Sequence, residues 1–215
     1  SILTSLATAA LLSSAATAQL FTPGNVVVLR VGDPSLTLSS SAAPVFIDEW
    51  NTATNTLVQS IEIPNSQTGA TPSFAQRGFS SSEGGLTVSA DGRYLVLAGY
   101  DRAIGASDPG AEPATVSNRI VATVDILTGL IDTTTALADA YDSSTFRGAT
   151  SLDGSSFWLG GNSSNGSVRY ATLGATSSLD IATSPSNVRW IDNYKGQLYI
   201  TSASTGAATQ GVAEV

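Results

Sequence analysis

The stretch LTVSADGRYLVLAGYD at 86–101 is echoed by ATSLDGSSFWLGGN at 149–162. In both, Ser, one further residue and Asp-Gly separate two β-rich runs, and Asp91 and Asp153 lie 62 residues apart. Asp-Gly between alternating runs is the strongest short-range hairpin signal, because glycine reaches positive φ without steric penalty. The pattern predicts one hairpin over 86–98, turning at Asp91-Gly92, and another over 148–161, turning at Asp153-Gly154. A weaker third copy turns at Lys195-Gly196 within 188–204, its Lys195 standing 42 residues after Asp153. The first two copies each lead into a second hairpin: NRIVATVDILTGLIDTTTAL (118–137) and SVRYATLGATSSLDIA (167–182).

Two hairpins give four antiparallel strands per unit. The difference between the two periods lies mostly in the Gly/Pro/Ala-rich insertion at 102–117. A four-stranded unit recurring at such intervals is the sequence signature of a β-propeller blade. One blade is too thin to cover its own two apolar faces, so neighbouring blades must cover them. Upstream, NVVVLRV (25–31), PVFIDEW (44–50) and TLVQSIEI (56–63) read as the strands of a partial blade, joined by Ser-rich loops at 34–44 and 64–82. No helix is expected after residue 19 beyond one turn at 137–143. The fold class is therefore all-β, a propeller of four-stranded antiparallel blades over 19–215, with about three and a half blades present. Closed propellers carry roughly four to eight blades, so three arrangements are expected: the N-terminal part of a chain of about 350–400 residues, an open arc, or blades completed by another chain. An open arc leaves an edge strand free for edge-to-edge self-association.

Composition limits the chemistry. The chain contains no Cys, His or Met. This removes disulfides, Cys/His zinc sites, Ser-His-Asp triads, thiol nucleophiles and imidazole bases, and leaves carboxylates, Arg, Tyr, Ser/Thr or an oxygen-bound cation such as calcium. Charged residues are only 12% of the chain, and the net charge of −8 argues against nucleic acid as a partner. The opening SILTSLATAALLSSAATAQ is uncharged, apolar in its middle and ends in Ala16-Thr17-Ala18 before Gln19. That is an A-x-A cleavage pattern, so 1–18 is read as a secretory signal peptide and the mature protein as exported. The apolar stretch is too short for a membrane span.

On the residues VSADGRYLVLA, followed by the V-D-x-x-T-G hairpin from Val124 to Gly129, the chain resembles the bacterial YVTN-type, lactonase-like propeller repeat. The resemblance runs over about 83–204 and departs at Lys195, where the repeat has Asp. The opening FTPGNVVVLRVGD (21–33) resembles a family of secreted propeller proteins of unknown function. These resemblances imply fold and export.

Positional comparison of the units yields candidate site residues. Arg147 lies seven residues before Gly154, Arg189 seven before Gly196, and the matching position in the first copy is Gly85, with Glu83 two residues earlier. Glu83, Arg147 and Arg189 are therefore expected at the mouth of the channel. There the two guanidiniums either bind an anionic ligand in bidentate forks or serve as structural side chains paired with Glu83 or backbone carbonyls. Asp101, Asp108 and Glu112, in the 101–117 loop, are a candidate oxygen-ligand calcium site, without EF-hand spacing; the alternative is a solvated acidic loop. Asp48 and Glu49 are adjacent on a strand and must diverge, so they are set aside as a catalytic pair. Asn162 and Asn165 each begin an N-glycosylation acceptor sequence. Trp158, Trp190, Phe157 and Tyr199 are expected in the core between blades.

Three functions are compatible with these features. The first is a secreted binding or scaffold module for an extracellular ligand or partner, with the long loops forming its binding face. The second, implied by the lactonase-like resemblance, is a calcium-dependent hydrolase with a carboxylate funnel. The third is a self-assembling cell-surface structural protein. No cofactor is expected other than calcium.

Overall fold

Short β-branched runs between Gly, Pro, Asn and Asp turns favour antiparallel strands, and every regular element among the described residues is a strand. The computed structural model describes residues 20–163, 166–204 and 210–215, so the expected signal peptide and Asn165 lie outside the described residues. The strands are β1 (Val26–Val31), β2 (Ala42–Ala43), β3 (Val45–Asn51), β4 (Thr56–Glu62), β5 (Gln76–Arg77), β6 (Leu86–Val88), β7 (Tyr94–Tyr100) and β8 (Arg119–Asp125). They continue as β9 (Ile131–Leu137), β10 (Phe146–Ser151), β11 (Ser156–Gly161), β12 (Val168–Thr172), β13 (Leu179–Ala182), β14 (Val188–Tyr194), β15 (Gln197–Ala203) and β16 (Gln210–Glu214). The expected turn at 137–143 is a bend closed by Ser144 N donating to Tyr141 O at 3.1 Å, and it is not helical.

The strands pair in chain order as four antiparallel sheets: β1-β3-β4, β6-β7-β8-β9, β10-β11-β12-β13 and β14-β15-β16. A clip of β2 with β5 ties two loops together. The two complete four-stranded sheets coincide with the two repeat units read from the sequence.

The sheets stack face on face. On β7, Leu95 and Leu97 join Val45, Ile47, Ile63 and Phe74 of the first sheet and its following loop. The alternate residues Val96, Ala98 and Tyr100 join Phe146, Ala149, Phe157 and Leu159 of the third sheet. A third cluster, with Val168, Val188, Ile191, Leu198 and Ile200, joins the third sheet to the fourth. Every residue of β8 is buried, as a strand covered on both sides requires. The outer sheets have an open side: Val26, Val28 and Leu57 of the first are exposed.

Hydrogen bonds also run between the leading strands of successive sheets. Gly85 N donates to Arg147 O at 3.2 Å, Thr87 Oγ1 to Ala149 O at 2.7 Å, and Thr150 Oγ1 to Asp192 Oδ1 at 3.2 Å. The two Asp-Gly turns are joined as well, with Ala90 N and Asp91 N donating to Ser151 O and Leu152 O, each at 3.0 Å.

The repeated Ser-x-Asp-Gly has a physical reason that differs from the expected tight turn. Only Lys195-Gly196, the weaker copy, forms a two-residue hairpin with both φ values positive, 52° and 80°. At Asp91 and Asp153 the connections are longer and only Gly92 and Gly154 enter the left-handed region. The serines supply the missing bonds. Ser89 Oγ accepts from Tyr94 N at 2.8 Å and donates to Asp91 Oδ1 at 2.5 Å, while Ser151 Oγ accepts from Gly154 N at 2.9 Å and donates to Ser156 O at 2.6 Å.

The V-D-x-x-T-G turn is built around Asp125. Its Oδ1 accepts from Leu127 N at 2.8 Å and Thr128 N at 3.2 Å, and its Oδ2 accepts from Arg93 Nη2 at 2.8 Å. The Arg93 guanidinium, aided by these backbone donors, holds the Asp125 carboxyl down to about 2. A depressed carboxylate contributes stability that is present above its usual 3.8 and is lost as pH falls toward 2. The Asp125→Asn variant is therefore expected to show a flatter dependence of unfolding free energy on pH across that window than the native chain, measured by urea titration at each pH. An unchanged slope would remove Asp125 from the acid response.

Candidate functional site

β10 and β14, the leading strands of the third and fourth sheets, each carry a bulge near their start. On β10, Phe146 faces Gly161 and Gly148 faces Gly160, which leaves Arg147 as the extra residue. On β14, Val188 faces Ser202 and Trp190 faces Thr201, which leaves Arg189 as the extra residue. A bulge re-aims the side chain of the residue it leaves unpaired. Both arginines line one pocket of about 250 Å³ with Trp190 and the 81–85 segment, including Glu83 and Gly85. The structure thus brings Glu83, Arg147 and Arg189 together. Gly85 is closely packed: a Cβ there would lie 3.0 Å from Arg147 O and 3.3 Å from the Trp190 ring, so a neighbour would have to give by a few tenths of an ångström.

The three charged groups differ in environment. Arg147 is 6% exposed, and its Nη1 donates to Asn187 Oδ1 at 2.6 Å and Val188 O at 2.8 Å. Its Nε is buried and has no hydrogen-bond partner. Arg189 is exposed and makes no ion pair or hydrogen bond among the described residues. Burial lowers the pKa of Arg147, and the neighbouring positive charge of Arg189 acts in the same direction.

Glu83 has a side chain only 1% exposed. Its Oε1 accepts from Tyr100 OH at 2.7 Å and lies 4.0 Å from Arg77 Nη1, while its Oε2 has no hydrogen-bond partner. Tyr100 OH is fixed in turn by accepting from Phe146 N at 3.0 Å. Burial raises the Glu83 pKa, against the pull of Tyr100, Arg77 and the Ser80 hydroxyl. Arg147 thus has structural partners of its own, a side-chain amide and a carbonyl, and Glu83 binds Tyr100. The cavity has two guanidiniums and one carboxyl in its wall, so its net field favours an anion.

The carboxylates of the 101–117 loop do not converge. Asp101 Oδ1 accepts from Ser73 Oγ at 2.7 Å. Asp108 is paired with Arg77, at 2.6 Å from both Nε and Nη2. Glu112 accepts from Ser107 Oγ at 3.0 Å and lies 3.5 Å from Arg102. Among the described residues no three acidic side chains group as a metal site. These bonds knit the loops to each other. A larger groove of about 670 Å³ runs between them, walled by Leu36, Asn65, Gln67, Asp101 and Ile104. Asp48 and Glu49 point to opposite sides of β3, Asp48 to Arg30 and Ser60, Glu49 to Thr22, Asn25 and Gln59. Asn162 is exposed just past β11, with its backbone N donating to Thr145 O at 3.0 Å.

Sequence reasoning misplaced two aromatics, Trp190 and the half-buried Tyr199, and missed one cation. Phe157 is buried as expected, but Trp190 is 40% exposed on the pocket rim. The bulge at Arg189 reverses the in-out alternation on which the expectation relied. Arg119 is fully buried and reads as an ordinary strand residue in NRIVATVDI. Its Nη2 donates to Tyr141 O at 2.6 Å and to Glu112 O and Ser144 O at 3.1 Å each, and its Nη1 to Ser117 O.

No protein-family model matches the chain, and no curated protein matches it. Among solved structures, the chain is similar to an oligogalacturonate lyase in complex with manganese, at 9% identity and a TM-score of 0.34, over 91% of this chain and 68% of that one. It is also similar to TolB from Acinetobacter baumannii, at 13% identity and a TM-score of 0.30, over 80% of this chain and 53% of that one.

Proposed function

We propose that this chain is a secreted β-propeller of YVTN-like blades that serves as a binding module, holding the anionic group of a small extracellular ligand between the leading strands of neighbouring blades. The observation that carries this reading is the pair of equivalent bulges. The same position in two consecutive units is an unpaired arginine, and both arginines line one pocket. Arg147 is the fixed half of the clamp, held by Asn187 and Val188. Arg189 is the free half, available to form a bidentate pair with a carboxylate. Trp190 offers an apolar face beside them.

The test uses phenylacetate and its neutral amide, phenylacetamide, measured by titration calorimetry on the full chain. Phenylacetate is expected to bind and the amide not. Arg189→Ala is expected to weaken phenylacetate about tenfold or more, the equivalent of one charge-assisted contact, with the melting temperature unchanged because Arg189 is exposed and has no partner to lose among the described residues. Equal binding of acid and amide, or none of either, would defeat the reading.

A further inference from the structure

We infer that this pocket takes up a proton together with its anion, and that the Glu83 carboxyl receives it. The inference rests on the anion-binding reading above and adds a pH dependence to that site.

Glu83 lines the same pocket as Arg147 and Arg189, and its side chain is 1% exposed. A buried carboxylate is stable only with a close cation. Among the described residues its one ion pair is to Arg77 of β5, at 4.0 Å. That guanidinium is already held by Asp108, 2.6 Å from both Nε and Nη2. Asp108 therefore takes most of the compensation that Arg77 offers, and its own negative charge acts against ionised Glu83. Tyr100 OH of β7, at 2.7 Å, and the Ser80 hydroxyl fix the carboxyl without adding positive charge. Arg119 of β8 lies over the Tyr100 ring and is committed to backbone carbonyls. Arg147 of β10 feels the Glu83 charge, yet its Nη1 bonds go to Asn187 and Val188. Arg189 lines the pocket from β14.

Glu83 is thus a weakly compensated negative charge in the wall of an anion site, and burial already biases it toward its neutral form. An anion beside the two arginines puts a second negative charge into the same enclosure. Like charges sharing a site do not both stay ionised freely, so one of them gains a proton. The ligand is held by guanidiniums, whereas Glu83 is the group short of a cation. A proton from solvent therefore converts the Glu83 carboxylate to the neutral acid as the anion enters. Linkage is reciprocal: an anion that raises the proton affinity of Glu83 is itself bound more tightly when Glu83 is protonated. Affinity accordingly rises as pH falls through the Glu83 titration.

The experiment is titration calorimetry of the full chain with phenylacetate at pH 5.5, 6.5 and 8.0, each in two buffers of different ionisation enthalpy, which counts the protons exchanged on binding. A simple carboxylic acid titrates at about 4, so the ligand stays ionised over this range and contributes almost no protons of its own. Binding is expected to be about fivefold tighter at pH 5.5 than at 8.0, with net uptake of part of a proton between them. Glu83→Gln keeps an acceptor for Tyr100 and cannot titrate. It is expected to bind at pH 8.0 about as tightly as the native chain does at 5.5, with no uptake. If that variant fails to fold, the carbon shift of the Glu83 carboxyl in the native chain replaces it, and saturating phenylacetate is expected to move its titration midpoint upward. Binding without proton uptake or pH dependence overturns the linkage and leaves the anion site standing. Uptake that persists in Glu83→Gln, or an unmoved Glu83 midpoint, overturns the role given to Glu83. No binding at any pH overturns both.

Discussion

Arg119→Ala is expected to lower the unfolding free energy by about 3–5 kcal/mol, the scale for stripping a buried charged group from its partners. The guanidinium is fully buried at the start of β8 and serves the carbonyls of Glu112, Ser117, Tyr141 and Ser144. It also lies over the Tyr100 ring, 5.2 Å from its centroid. Removing it leaves several carbonyl oxygens without donors and opens a void between the 102–117 insertion and the 141–144 bend. Domains of this kind hold only about 5–15 kcal/mol in total, so the loss takes a large share. Arg119→Lys is expected to recover less than half, because one ammonium cannot reach acceptors arrayed around a planar fork. Urea unfolding measures the loss, and limited proteolysis locates it, with new cleavage expected within 102–117. A loss under about 1 kcal/mol, typical of a surface change, or full rescue by lysine, would contradict this role.

Phe157→Ala is expected to cost about 3–5 kcal/mol through lost transfer energy and the cavity left behind. Phe157 is fully buried on β11 and belongs to the cluster that joins the second and third sheets. The same truncation at Tyr199, on the open side of β15, is expected to change stability by under about 1 kcal/mol. The contrast matters more than either value. It tests whether burial in this chain comes from sheet meeting sheet, since both residues are aromatic and both sit on regular strands. Equal losses at the two positions would mean that the fourth sheet is covered on both sides.

Much of the fold is legible in the sequence because its signals are local. Ser89-x-Asp91-Gly92 and Ser151-x-Asp153-Gly154 mark their turns whatever surrounds them, and the paired hairpins behind them follow β-branched runs. The turn geometry was less legible, since it depends on Ser89 Oγ and Ser151 Oγ bonding back to the backbone. The clip of β2 with β5 has two residues per strand, too few for any periodic signal. Arg147 and Arg189 could be found by offset alone, because both repeat the same distance before their turns. What offset could not reveal is that each is the unpaired residue of a bulge. That shift also carries Trp190 to the pocket rim. Glu83 lines the same pocket as the arginines, but its packing against Tyr100 and Arg77 leaves no signal in the repeat pattern. Arg119 was invisible because its partners are carbonyls of a loop, and any residue type supplies a carbonyl.

The most direct test of the stacked-sheet account is a nuclear Overhauser measurement between sheets. A side chain at Gly154 would meet the Tyr94 ring at 2.8 Å, and one at Gly160 would meet Val188 at 2.9 Å and Ile191 at 3.2 Å. The account predicts strong cross-peaks from the Gly154 α-protons to the Tyr94 ring, linking the second and third sheets. It also predicts cross-peaks from the Gly160 α-protons to the Val188 and Ile191 methyls, linking the third and fourth. Absence of both, with the Tyr94–Asp125 pairing inside the second sheet intact, would show sheets that form without covering one another and would contradict it.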